Sequence, residues 1–183
     1  VLDRSLIAQA KPALDRGAPV RISATIRNID RSAGAMLSGE VAKRYGHEGL
    51  PEDTIAVKLT GTAGQSFGAF LARGISMELT GDGNDYVGKG LSGATIIVRP
   101  RPSSTLVPHE NTIIGNTVLY GAIEGEAYFS GVAGERFTRG LEKDQRVCHR
   151  AESRAFTLDS PALRGASCCP FVAPRCPAFP SLR

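Results

Sequence analysis

The amino-acid sequence predicts a mainly β fold, a parallel β-helix (β-solenoid) preceded by short helices. Residues 55–61, Ile-Ala-Val-Lys-Leu-Thr-Gly, return 20 positions later as residues 75–81, Ile-Ser-Met-Glu-Leu-Thr-Gly. A period of that length signals a solenoid, whose units bury their apolar faces only by stacking. Glycines also gather at the ends of these runs, at Gly61, Gly64, Gly68, Gly74, Gly81, Gly83, Gly88, Gly90 and Gly93. Corners between short strands need a left-handed backbone or close chain approach, which glycine permits. The leucine-rich-repeat frame, the other architecture of this period, is absent.

In chain order, residues 2–14 place Leu2, Leu6, Ile7, Ala10 and Leu14 on a helical period, with Pro12 weakening the last turn. Gly17, Ala18 and Pro19 break that pattern. Residues 20–29 alternate apolar and polar and read as a strand. A second helix is predicted over 35–45, with Gly46 as its C-cap. Leu50 to Asp53 is a turn. In the repeats, Phe67 and Gly68 match Val87 and Gly88, and Leu71 matches Leu91. A looser third copy holds residues 118–121, and its ending, 128–134, echoes 86–93. A Pro-rich insertion, about 100–111, separates copies two and three. Val57, Leu59, Met77, Leu79, Ile96 and Val98 are expected to point inward and form aliphatic ladders. The domains expected are a helical and strand lead-in (1–53), a truncated glycine-repeat β-helix (54–137) and a disordered tail (138–183).

Charge supports that division. Residues 1–137 balance 14 Lys/Arg against 14 Asp/Glu, so the net +4 falls in residues 138–183, with 8 basic and 4 acidic groups. The repeat region therefore carries no nucleic-acid signature. No run of 18 apolar residues exists, no secretory signal is visible, and a cytoplasmic location is expected. Val1 is not an initiator Met, which reads as a fragment.

Chemical motifs dissolve into the repeat. Residues 64–68 fit G-x-S-x-G, but the nucleophile elbow requires a following helix, and Ser66 aligns with Tyr86. Residues 88–93 fit G-x-G-x-x-G, but a strand-type run follows where the dinucleotide motif needs a helix N-terminus. Asp82, Asn84 and Asp85 have oxygen ligands for Ca²⁺, yet are also ordinary turn residues. Cys168, Cys169 and Cys176 lack metal-site spacing, and His47, His109 and His149 are isolated. The charged run 27–31 reads as a domain interface or a solvated loop. No catalytic, cofactor-binding or metal residue is expected.

The longest motifs resemble a known family. Residues 26–31 (Ile-Arg-Asn-Ile-Asp-Arg), 37–46, 61–68, 84–93, 114–116, 119–121 and 125–137 are similar to the C-terminal glycine-rich domain of the glutamate synthase large subunit, almost continuously from Leu2 to Phe137. That resemblance implies that the β-helix is right-handed and is a non-catalytic scaffold in an oxidoreductase that makes glutamate from glutamine and 2-oxoglutarate. It places FMN and an iron–sulfur cluster in other domains, leaves no cofactor for this chain, and makes those other domains or subunits its partners. Nucleic acid and membrane are not among them. The rival readings are a piece that reassembles with separately encoded catalytic domains and a free-standing β-solenoid binding module. From Thr138 the likeness stops. All four cysteines and 5 of the 11 prolines lie beyond that point, as in a shifted reading frame or a lineage-specific tail. Such a tail is not expected to extend the stack, and the coil at 121–137 is expected to fray.

Overall fold

The computed structural model describes residues 1–105 and 110–134 and the backbone of 154–158. It is a mostly parallel β-sheet with three short helices. The order is α1 (Leu2–Gln9), α2 (Lys11–Arg16), β1 (Val20–Ile26), α3 (Ala35–Tyr45), β2 (Ile55–Ala63), β3 (Ile75–Gly83), β4 (Ser92–Arg99), β5 (Thr112–Ile114), β6 (Glu124–Phe129), β7 (Val132–Ala133) and β8 (Arg154–Leu158).

The sheet runs β1-β2-β3-β4-β6-β8, with β5 joining β3 to β7. Every pairing from β1 to β6 is parallel. The 20-residue repeat is a register: Val57 pairs with Met77 and Leu59 with Leu79, then with Ile96 and Val98. These six side chains are buried, as their alternation predicts. The columns extend beyond the repeat, to Ile22 and Ala24 on β1 and to Ala127 and Phe129 on β6. Hence β1 of the lead-in is the first strand of the same sheet.

The helix expected over 2–14 is two helices. Proline lacks the N–H that a helix interior needs but is tolerated in a first turn, so the chain restarts at Lys11 with Pro12 near the N-terminus of α2. Gly17, in the left-handed conformation, closes α2. The helix α3 has the predicted bounds and ends at Gly46. Leu6, Leu14, Leu37 and Val41 from the three helices share one apolar cluster with the strand columns. Two polar contacts fix the helices together. The buried carboxylate of Asp3 accepts from the N–H groups of Gly34 and Met36 at 2.7 and 2.8 Å, capping α3 from another helix. The Tyr45 hydroxyl donates to the carbonyl of Leu14 at 3.0 Å.

At the other end, β6 pairs with β4 on one side and, antiparallel, with β8 on the other. This strand of the tail does extend the sheet, because the edge of β6 offers unpaired backbone groups to any extended segment. The rest of the disorder expected for 138–183 lies outside the described residues.

Candidate functional site

The glycine motifs form the corners. The N–H of Ser66 donates to the carbonyl of Asp85 at 2.8 Å, and that of Tyr86 to Asn116 at 3.0 Å. Ser32, Ser66, Tyr86 and Thr117 all have positive φ, at 51, 64, 63 and 58°. They make one stacked column of left-handed residues, joined at its first step by the N–H of Ser32 donating to Gln65. Ser66 is therefore a corner residue in register with Tyr86, and β3 follows it where an elbow needs a helix. The counterpart of Tyr86 in the next turn of the column is Thr117. The echo at 128–134 is not a structural repeat, since Tyr128 lies on β6 opposite Ile97. Likewise Gly88 and Gly90 are stacked corners that lead into β4, so no helix dipole faces a ligand there.

The acidic turn is spent on backbone. The Asp85 carboxylate accepts from the N–H of Asn116, and the Asn84 side chain accepts from the N–H of Asp85, both at 2.7 Å. Thr62 donates to Asp82 at 3.1 Å, and Asn84 donates to Asn28 at 3.1 Å. Asn28, Thr62, Asp82 and Asn84 edge an open groove of about 450 Å³, with Thr112, Ile113 and Ile114 also in its lining. Among the described residues, no group of three or more His, Cys, Asp and Glu could hold a metal ion. His47 is exposed. The four cysteines, His109 and His149 lie outside the described residues. In the run 27–31, Asp30 accepts from the N–H of Arg27 at 3.0 Å, and the segment packs over Gly64, where a Cβ would meet the Asn28 carbonyl oxygen at 2.5 Å.

One charged cluster was not singled out from the sequence. Glu78 sits mid-strand on β3 and is only 3% exposed. Its carboxylate pairs with the Arg99 guanidinium, and Lys58 Nζ lies 3.9 Å away. Lys58 and Glu78 are register partners, so opposite charge at equivalent repeat positions was the available signal. The cluster balances charge across neighbouring strands. On α3, Glu40 bridges Lys43 and Arg44. Hydrogen bonds from Lys43 and then Arg44 hold its carboxyl well below the usual range, at about 2.

Stacked left-handed corners around an aliphatic parallel sheet, without a converging catalytic set among the described residues, define a glycine-repeat domain. The chain belongs to the GXGXG motif family, whose model matches residues 3–152. That match reaches past Phe137, where the composition changes. Three relatives are glutamate synthases. The NADH enzyme of Saccharomyces cerevisiae is 56% identical over 136 residues, which are 74% of this chain and 6% of the yeast protein. The NADPH enzyme's large chain from Azospirillum brasilense is 51% identical over 136 residues, 74% of this chain and 9% of that one. Ferredoxin-dependent glutamate synthase 2 of Synechocystis is 44% identical over 139 residues, 75% of this chain and 9% of that one. The chain thus spans less than a tenth of the length of these relatives. No helix among the described residues is long and apolar enough to cross a membrane.

Proposed function

We propose that this chain is the structural glycine-repeat domain of a glutamate synthase, a right-handed parallel β-helix that braces and spaces the catalytic domains and performs no chemistry itself. The observation that carries this reading is the uninterrupted column Ile22, Val57, Met77, Ile96 and Ala127, in register across five strands. A core of stacked aliphatics bonded coil to coil is stiff along its axis, as a spacer between domains must be. Residues 1–137 contain no cysteine, so they cannot hold a cluster through thiolates. The repeat glycines at 64–68 and 88–93 lead into strands, so those loops offer no helix N-terminus to the phosphate of FMN. Both groups belong, on this reading, to the other domains of a cytoplasmic enzyme, which are the partners of this one. The test is the absorbance spectrum of the purified chain after gel filtration from a mixture with FMN, iron and sulfide. A featureless visible spectrum is expected. A flavin or iron–sulfur spectrum that comigrates with the chain overturns the scaffold reading.

A further inference from the structure

Among the described residues six large hydrophobic side chains are exposed, and three of them, Phe70, Tyr120 and Ile123, gather at one corner of successive coils. Backbone hydrogen bonds establish the adjacency. The N–H of Phe70 donates to Lys89 at 2.7 Å, that of Gly90 to Tyr120 at 2.9 Å, and that of Ile123 to Leu91 at 2.9 Å. The Ser38 hydroxyl donates to the Phe70 carbonyl at 2.6 Å, which ties α3 to the backbone of the same corner. The Phe70 ring lies on Gly90: a Cβ there would sit 2.5 Å from the ring. Lys89 stands among these groups, with Nζ 5.9 Å from the centre of the Phe70 ring and 5.7 Å from that of Tyr86. It makes no ion pair among the described residues.

A monomeric surface rarely gathers large apolar groups in one contiguous strip unless something covers them. A cation held over aromatic faces inside such a strip is an anchor for an opposing carboxylate, because covering it without a partner would strand a charge. We propose that this corner is where another domain of the synthase polypeptide docks, through a surface that is apolar around an Asp or Glu aimed at Lys89. This rests on the scaffold reading above, and names the face on which the scaffold carries its load. The occupant is a neighbouring domain because this segment makes up only 6 to 9% of its relatives' chains, and because the lone positive charge is complementary to an acidic partner but repels a second copy of itself across a two-fold.

The experiment is amine acetylation with acetyl N-hydroxysuccinimide, read by mass spectrometry. It is applied to the isolated chain and to the Azospirillum large chain in which residues 1–134 of this protein replace the matching segment. Lys43, whose side chain is 73% exposed on α3, is the internal reference. The expected result is modification of both lysines in the isolated chain, and loss of modification at Lys89 alone in the chimera. Phe70→Asp with Ile123→Asp in the chimera should restore Lys89 reactivity. Equal reactivity of Lys89 in both contexts, in a chimera that makes glutamate, overturns the docking corner and leaves the scaffold reading standing. Protection already present in the isolated chain, with a dimer on gel filtration, overturns it in favour of self-association. A chimera that fails to assemble counts against the scaffold reading itself, and the corner falls with it.

Discussion

Gly81 lies directly against Gly61 of the neighbouring strand β2: a Cβ on Gly81 would sit 1.8 Å from the Gly61 carbonyl oxygen. The two are register partners at the same strand position, so a side chain there would force the strands apart. We expect Gly81→Ala to cost more than about 3 kcal/mol, from overpacking against backbone together with strain at its positive φ. Gly17→Ala is the control. Gly17 has a φ of 66° but nothing within 4 Å of its would-be Cβ, so only conformational strain of about 1 kcal/mol applies. Urea denaturation of the two variants separates the effects. Equal losses would mean that Gly81 is not held by the stack.

Thr117 is the β-branched member of the left-handed column, at a φ of 58°. β-branching makes this conformation costly, whereas asparagine tolerates it. Thr117→Asn should therefore stabilise the protein by about 1 kcal/mol, seen as a rise in melting temperature. A fall would show that the Thr117 side chain contributes packing that outweighs the strain.

Asp3→Ala removes the carboxylate that caps α3 while leaving the N–H groups of Gly34 and Met36 in place. Loss of a buried charge-assisted cap should cost about 2 kcal/mol or more. Asp3→Asn, which retains an acceptor, should recover part of it. Thermal melts of the pair check this; identical melting of Asp3→Ala and the parent chain would mean the cap does not contribute.

In the Glu78 cluster, breaking the pair should hurt more than replacing the acid. Arg99→Ala leaves a buried carboxylate with only Lys58 at 3.9 Å. Glu78→Met removes the buried charge and keeps the volume. Because the Arg99 side chain is 43% exposed, the expected loss for Arg99→Ala is about 1–3 kcal/mol, below the range for fully buried pairs. Glu78→Met should cost less than that. The reverse order in urea midpoints would mean that the carboxylate is hydrated.

The Glu40 carboxyl should titrate at about 2, below the ordinary 4.5, because the hydrogen bonds from Lys43 and Arg44 favour its ionised form. A folded-state pKa depressed in this way stabilises α3 above the ordinary carboxylate pKa. That contribution fades as pH falls from 4.5 toward 2. Carboxyl ¹³C titration by NMR reads it directly, and Lys43→Met with Arg44→Met should return the midpoint toward 4.5. An unshifted Glu40 in the parent chain would show that water screens both pairs.

The parallel sheet and its inner columns were legible because inward Val57, Leu59, Met77 and Leu79 recur with a constant offset, and a constant offset becomes register when the strands pair in parallel. The three-helix arrangement was less so. Pro12 marked a weakness in the first helix but not whether the chain stops or restarts there. The capping of α3 by Asp3 left no local trace, since the two partners are 31 residues apart. Composition changes near Phe137 and marked a boundary, but gave no sign that residues 154–158 pair with β6, because an edge strand accepts many extended sequences.

What the chain determined by itself is periodic: the repeat length, the glycine corners and the alternation of buried and exposed positions, all of them consequences of local backbone preference and burial. What only tertiary structure decided is where non-repeating side chains converge. Glu78 meets Arg99 because adjacent strands align them, and Phe70, Lys89, Tyr120 and Ile123 share one edge because backbone hydrogen bonds join the loops that carry them. Such neighbours depend on how far each connecting loop extends before the chain returns to register, and no local pattern of residues encodes that distance.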